Sequence, residues 1–196
     1  PGTQHGAASI EKPEDIVLLL VRVLLARHRP HLPSGVATTA GIQASEGKLF
    51  LCAMKDVFSN RIVGYSIADR MTSELAVAAL RMAIQRRNPQ STVVHSDRGS
   101  QFRSRRFQAE LDRHGLVGSM GRVGAAGDNA AMESFFALLQ KNVLNSRRWG
   151  TRQELRLAIV TWIERTYHRR RRQRVLGRLT PVEFEAIMTT RAASAA

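Results

Sequence analysis

Two apolar stretches, residues 49–57 and 62–68, are separated by Phe58 and the polar turn Ser59-Asn60-Arg61. Their length and bounded apolar character predict an antiparallel hairpin. Beyond residue 70 the apolar period changes, which constrains the fold further. Leu75, Ala76, Ala79, Leu80 and Ala83 recur at helical spacing, with Thr72 or Ser73 as a cap and Asn88-Pro89 as a stop. A β-branched run over residues 92–95 reads as a strand. Residues 102–114 read as a helix with Phe107 and Leu111 facing inward, ended by Gly115. Residues 116–119 give another short strand before a glycine-rich stretch. Asp128 or Asn129 then caps a helix burying Met132, Phe135, Phe136, Leu139 and Val143. Thr151 caps the next, whose stripe is Leu155, Ile159, Trp162, Ile163 and Thr166. Thr180-Pro181 opens a last short helix, with Pro181 at its first position and Glu183 two residues on.

Hairpin, helix, strand, helix, strand, helix, helix predicts an α/β domain, a mixed sheet flanked by helices. The ribonuclease H-like fold has this order. Its first strand would occupy residues 36–43, where the strand signal is weakest, which leaves open that it is missing or degraded. Further upstream, Pro13 opens a short helix to about residue 27, and Pro30, Pro33 and Gly35 break the pattern. The expected organisation is an atypical segment over residues 1–45, a core over 46–187 and a tail over 188–196.

The chemistry sits in two carboxylates. Asp97 lies in His95-Ser96-Asp97-Arg98-Gly99-Ser100-Gln101-Phe102, just past a strand, and Glu133 lies early in a capped helix. Carboxylates are the hard oxygen ligands that magnesium prefers, and phosphodiester cleavage can use two such ions side by side. Each acid also has a plainer reading. A lone aspartate after a strand is commonly a turn residue, and a glutamate in a first helical turn favours the helix dipole. Asp56, at the end of the first hairpin strand, is the candidate third acid, and equally a strand-end residue facing solvent. Asp128 and Asn129 are read as structural caps.

Thirty basic residues against 16 acidic give a formal charge of +14, which speaks for a polyanionic partner. Double-stranded DNA leads; RNA, a ribosomal setting or an anionic membrane surface are weaker alternatives. Arg98, Arg103, Arg105 and Arg106 could line a backbone-binding surface beside Asp97. Lys141, two turns beyond Glu133, is placed to hold a phosphate. Arg169, Arg170, Arg171, Arg172, Arg174 and Arg178 form the densest basic patch. The single Cys52 excludes an internal disulfide and a thiolate zinc site, and suits a reducing cytosol. The apolar run at residues 16–21 is too short to span a membrane, and no targeting segment is read.

Together these stretches resemble the integrase-core transposases encoded by bacterial insertion sequences, relatives of retroviral integrases. The likeness is carried by residues 47–64, by His95 to Phe102, by Ser119-Met120, by residues 128–139, and by Tyr167-His168-Arg169 with Leu176-Gly177-Arg178-Leu179-Thr180-Pro181. The resemblance implies an Asp-Asp-Glu triad binding Mg2+ or Mn2+, cleavage at transposon ends, strand transfer, and self-association in a synaptic complex. It makes Asp97 the second acid and Glu133 the third. The first should fall near Thr38, yet residues 16–45 contain no aspartate or glutamate. Asp56 belongs to the following strand of the family pattern. The expectation is therefore a transposase core impaired by the loss of one acid. The alternatives are a non-catalytic DNA-binding remnant, a ribonuclease H-like nuclease using Asp56, and a basic RNA-binding protein.

Overall fold

The computed structural model describes residues 20–24, 37–120 and 130–194, and joins six strands into one sheet. They are β1 (Leu20–Leu24), β2 (Ala37–Ala44), β3 (Gly47–Asp56), β4 (Ile62–Ala68), β5 (Val93–Ser96) and β6 (Val117–Met120). Their order is β4-β3-β2-β1-β5-β6, with β5 and β6 parallel and every other pair antiparallel. Helices α1 (Ser73–Arg87), α2 (Arg105–Arg113), α3 (Ala130–Leu139), α4 (Arg152–Thr161) and α5 (Pro181–Ala193) complete the chain. This is the expected mixed sheet flanked by helices.

Upstream of residue 46 one expectation is met and one is corrected. The strand expected near residues 36–43 is present as β2, paired with β3 from Ala37↔Met54 to Ala44↔Gly47. Its Ala and Gly residues carry little strand propensity, but a strongly apolar neighbour supplies the pairing. The helix expected over residues 13–27 is, at Leu20–Leu24, a strand between β2 and β5. A short apolar run cannot be assigned by periodicity alone, and valines at positions 21 and 23 suit an extended backbone. The rest of that expected helix lies outside the described residues, as do the caps Asp128 and Asn129.

The two faces of β3 set the layers. Cys52 and Met54 lie with Val63, the buried side of α1, Phe107 and Leu111 of α2, and Val94. Leu49, Leu51 and Ala53 lie on the other face with Met132, Phe135 and Leu139 of α3 and Leu155 and Ile159 of α4. Each such large side chain contributes about 1.5–3 kcal/mol when removed from water. Simple alternation would place Ile62 with Gly64, and Val63 with Tyr65. The register instead slips between Met54 and Lys55, a β-bulge that puts Ile62 beside Tyr65 and turns Val63 toward α1. Gly64 permits close packing there, since a Cβ at this position would strike the Ala79 carbonyl oxygen and the Ala83 nitrogen.

Downstream, the Thr151 and Thr180 caps fall where expected, Thr72 flanks α1 without a side-chain cap bond, and the helix expected from residue 102 begins at Arg105 behind a Ser104 cap. Ser104 Oγ accepts from Phe107 N–H at 3.2 Å, and Thr151 Oγ1 accepts from Glu154 N–H at 3.1 Å. Thr180 and Glu183 close a reciprocal box, with bonds of 3.2 and 2.9 Å. The stripe of α4 departs from expectation at its end. A π-helical turn, Trp162–Tyr167, shifts the phase by one residue, so Thr166 is exposed and Tyr167 is buried. Tyr167 Oη then donates to the Asn60 carbonyl at 3.1 Å. Next to it, His168 Nε2 accepts Ile62 N–H at 3.1 Å, which leaves Nδ1–H to face Glu164 Oε2 at 3.2 Å. Burial holds the imidazole below its usual pKa. The His168 hydrogen bond leads in holding Glu164 down to about 2.

Candidate nucleic-acid site

Asp97 is the first residue after β5. It is half-buried, and its Oδ1 accepts Gly99 N–H at 2.7 Å, which tightens the turn into Gln101 and Phe102. The strand register locates it across the sheet. Val21 pairs with Ser96 on one side and Ala37 on the other, and Leu20 pairs with Thr38. Asp97, one residue past Ser96, therefore lies level with Thr38, two strands away. At about 4.8 Å per strand the two backbones are about 10 Å apart. Residues directly opposite across a sheet share a face. In backbone register position 38 is thus level with Asp97.

Asp56 is elsewhere. Ala53 pairs with Thr38, so Asp56 lies three residues further along β3 and three strands from β5. It therefore lies off the level of Asp97, three residues nearer the end of the sheet where β5 begins. Its Oδ1 accepts Phe58 N–H at 2.8 Å, and its Oδ2 lies 3.9 Å from Arg87. Arg87 also pairs with Glu185 of α5, which Arg61 meets at 2.6 Å. Burial raises the Asp56 pKa, against the lowering effects of Phe58 N–H and Arg87. This aspartate closes the β3–β4 turn and ties it to α1 and α5.

Glu133 is exposed in the first turn of α3, whose neighbours Met132, Phe135 and Phe136 are buried. Helix α3 comes after β6, which runs parallel to β5 and ends beside it, Ser96 opposite Met120. Lys141 is exposed on the π-helical turn Gln140–Leu144 that continues α3. Arg98, Arg103, Arg105 and Arg106 are all exposed beside Asp97, around the start of α2; Arg106 lies 3.7 Å from Glu74.

The acids present do not fit a three-carboxylate metal site. Among the described residues no three of His, Cys, Asp and Glu gather into a group able to hold an ion, and position 38 is a threonine. One residue of the site is not singled out by the sequence patterns. Gln101 is 5% exposed, and its Nε2 finds no partner among the described residues. A buried amide donor left unsatisfied costs about 1–3 kcal/mol. The available signal was a polar residue directly before the buried Phe102, which sequence alone reads as turn chemistry.

The six arginines of the basic patch lie between α4 and α5, all exposed. Arg172 donates to the Arg178 carbonyl and to Glu183, both at 3.1 Å. Arg171 lies close enough to buried Lys55 to help lower its pKa to about 8, behind the larger effect of burial. No helix among the described residues is long and apolar enough to cross a membrane.

Comparison with known proteins matches this arrangement. The integrase core domain matches twice, over residues 32–126 and over residues 114–181. Transposase InsF for insertion sequence IS3A of Escherichia coli (strain K12) is 40% identical over 145 residues, covering 74% of this chain and 50% of the relative. The insertion element IS600 uncharacterized 31 kDa protein of Shigella sonnei is 39% identical over 150 residues, covering 76% and 55%. The chain spans about half the length of these curated relatives. Among solved structures, the HTLV-2 integrase catalytic core domain in complex with magnesium aligns with a TM-score of 0.58 at 19% identity, covering 76% of this chain and 92% of that one. The simian T-cell lymphotropic virus intasome in complex with PP2A regulatory subunit B56 gamma aligns at 0.53 and 18% identity, covering 66% and 48%. At such identities these two speak for the fold. Matched from residue 32 to residue 181, and close in sequence to insertion-sequence transposases, the chain belongs to the integrase-core family.

Proposed function

We propose that this chain is a transposase integrase core that binds duplex DNA but has lost the acid required for cleavage and strand transfer. The observation that carries the reading is Thr38, level with Asp97 across the sheet where the family pattern calls for an aspartate. Asp97 and Glu133 are the retained acids, and Mg2+ or Mn2+ the ions a complete set would take. Self-association in a synaptic complex belongs to the same proposal, as does DNA contact through Arg98, Arg103, Arg105, Arg106, Lys141 and the patch beyond residue 168. A nuclease built on Asp56 is disfavoured by the burial of that carboxylate against Phe58 N–H and Arg87.

Restoring the acid tests the proposal. Thr38→Asp is expected to bind Mn2+ more tightly than the unmodified chain in calorimetry, and to nick labelled duplex DNA in a manner suppressed by Glu133→Gln. The unmodified chain should nick no faster than Asp97→Ala. Metal-dependent nicking by the unmodified chain, abolished by Asp97→Ala, would overturn the proposal.

A further inference from the structure

We infer that the cleft between the two π-helical turns is a pocket for one unpaired nucleotide of a DNA strand. The inference rests on the DNA-binding function proposed for the chain.

The cleft has a volume of about 400 Å³, within the range that holds small molecules. Asn142 and Val143 line it from the turn Gln140–Leu144, and Trp162 and Thr166 from the turn Trp162–Tyr167. Such π-turns are frequent at functional sites. The connector between them is held in place by its neighbours. Ser45 N–H and Ser45 Oγ both donate to the Trp149 carbonyl, at 3.0 and 3.1 Å. Glu154 Oε2 accepts Gly150 N–H at 3.3 Å, while its Oε1 meets Arg147 at 2.6 Å. A wall ordered before binding loses little entropy when a ligand arrives.

The lining asks for a flat group that carries an acceptor. Trp149 is 7% exposed, and its indole Nε1 is buried without an acceptor among the described residues. A donor left in that state costs free energy that an incoming acceptor would recover. Arg147 Cζ lies 4.3 Å from the centre of the Trp149 ring, so the guanidinium is already stacked. Arg147 also lines the cleft, as does Leu157, which is 63% exposed. Unstacked nucleobases lie on guanidinium planes and aromatic rings, and their edges accept N–H groups.

The surrounding charge asks for an anion. Lys141, Arg148 and Arg165 are exposed, and each is next in the chain to a residue of the lining. Among the described residues none of the three pairs with a carboxylate. The one acid of the lining, Glu154, is taken by Arg147. An apolar peptide would leave these cations idle, and inorganic phosphate would leave Leu157 and the indole idle. A nucleotide engages all of them through its base and its phosphates.

Both tryptophans of the chain line the cleft, so intrinsic fluorescence reads its occupancy. The test compares a blunt hairpin-capped duplex with the same duplex carrying a short oligothymidine overhang, in chelator so that cleavage plays no part. The overhang should alter tryptophan emission and tighten binding about tenfold, the affinity equivalent of one stacked base. Leu157→Asp puts a carboxylate among the lining residues and should abolish both effects, with thermal melting showing that the variant folds. Leu157→Met should keep both. Equal affinity for the two duplexes, or a preference that survives in Leu157→Asp, overturns the inference. So does an emission change that grows with protein concentration in the absence of DNA, because a second copy would then fill the cleft. A chain that binds neither duplex sinks the DNA-binding function, and the inference with it.

Discussion

Asp56 and Asp97 are built alike and placed oppositely. Each ends a strand, and each accepts the backbone N–H of the second residue on, at 2.8 and 2.7 Å. The local motif is the same aspartate turn. Asp56, however, is 3% exposed and sits against Arg87 beneath α5, whereas Asp97 is half-buried at the sheet end beside an exposed basic surface. Sequence patterns that pick out a strand and then an aspartate cannot separate the two. The surroundings do: one carboxylate is enclosed by the fold, and the other stands where a large anion can approach.

The most forceful way to break this contrast uses the restored acid. In the Thr38→Asp background, Asp97→Asn should lower the nicking rate by at least about 10²-fold, the scale of removing one electrostatic contact in a catalytic site. Asp56→Asn in the same background should change it less than about twofold, since its effect is local to the turn. Equal losses from both substitutions would mean that the two aspartates serve one site. Single-turnover cleavage of end-labelled duplex reads the difference directly.

Stability should rank them the other way. Arg87→Ala removes a cation shared by Asp56 and Glu185, whose side chains are 4% and 16% exposed. Breaking a buried pair from one side costs about 3 kcal/mol at the lower end of its range. Asp97→Ala forfeits the turn bond to Gly99, worth about 1 kcal/mol. Urea unfolding midpoints measure both. A smaller loss for Arg87→Ala than for Asp97→Ala would undo the assignment of Asp56 to the framework.

How much of the molecule is legible in its sequence depends on the strength of local signals. The hairpin, α1 and the Thr151 and Thr180 caps were readable because side chains there bond or bury within a few residues. Ile62 and Val63 exchanged faces because a bulge is a property of two strands, invisible in one. Tyr167 displaced Thr166 from the buried stripe because a π-turn alters phase without altering composition. The strand at Leu20–Leu24 was hidden for a related reason: five apolar-rich residues suit a helix or a central strand, and only neighbouring strands decide. Of the proposed site, Asp97 stands out in the sequence by its place after a strand. The alignment of position 38 with it required the register.

Titration sharpens the comparison further. Burial gives Asp56 a raised pKa, so the folded chain holds its proton more tightly than the unfolded one. The stability so gained is fully present below the unfolded value of about 3.9 and is lost as pH rises through the folded value. Asp56→Asn stays neutral throughout while its amide oxygen can still accept Phe58 N–H. Its stability relative to the unmodified chain should therefore improve as pH rises from about 4 toward neutrality. A relative stability that instead worsens with rising pH would show that Arg87 outweighs burial and that Asp56 works as a paired anion.

The smallest expected effect concerns the Asp97 half of the comparison. Gln101 lies four residues past Asp97; among the described residues its buried Nε2 has no partner, and its Oε1 receives a long 3.4 Å contact from Ser100 Oγ. Replacing such a group by an apolar one of similar shape removes the desolvation penalty along with the weak bond. Gln101→Leu should therefore match or exceed the unmodified chain in thermal stability, by no more than about 1 kcal/mol. Gln101→Ala should lose stability, because it opens a void above Phe102 without filling it. If the leucine variant is instead destabilised by as much as the alanine variant, the amide has a partner in the folded chain. The Asp97 end of the sheet would then be as fully satisfied as the Asp56 end, and the distinction between an enclosed and an open carboxylate would rest on charge alone.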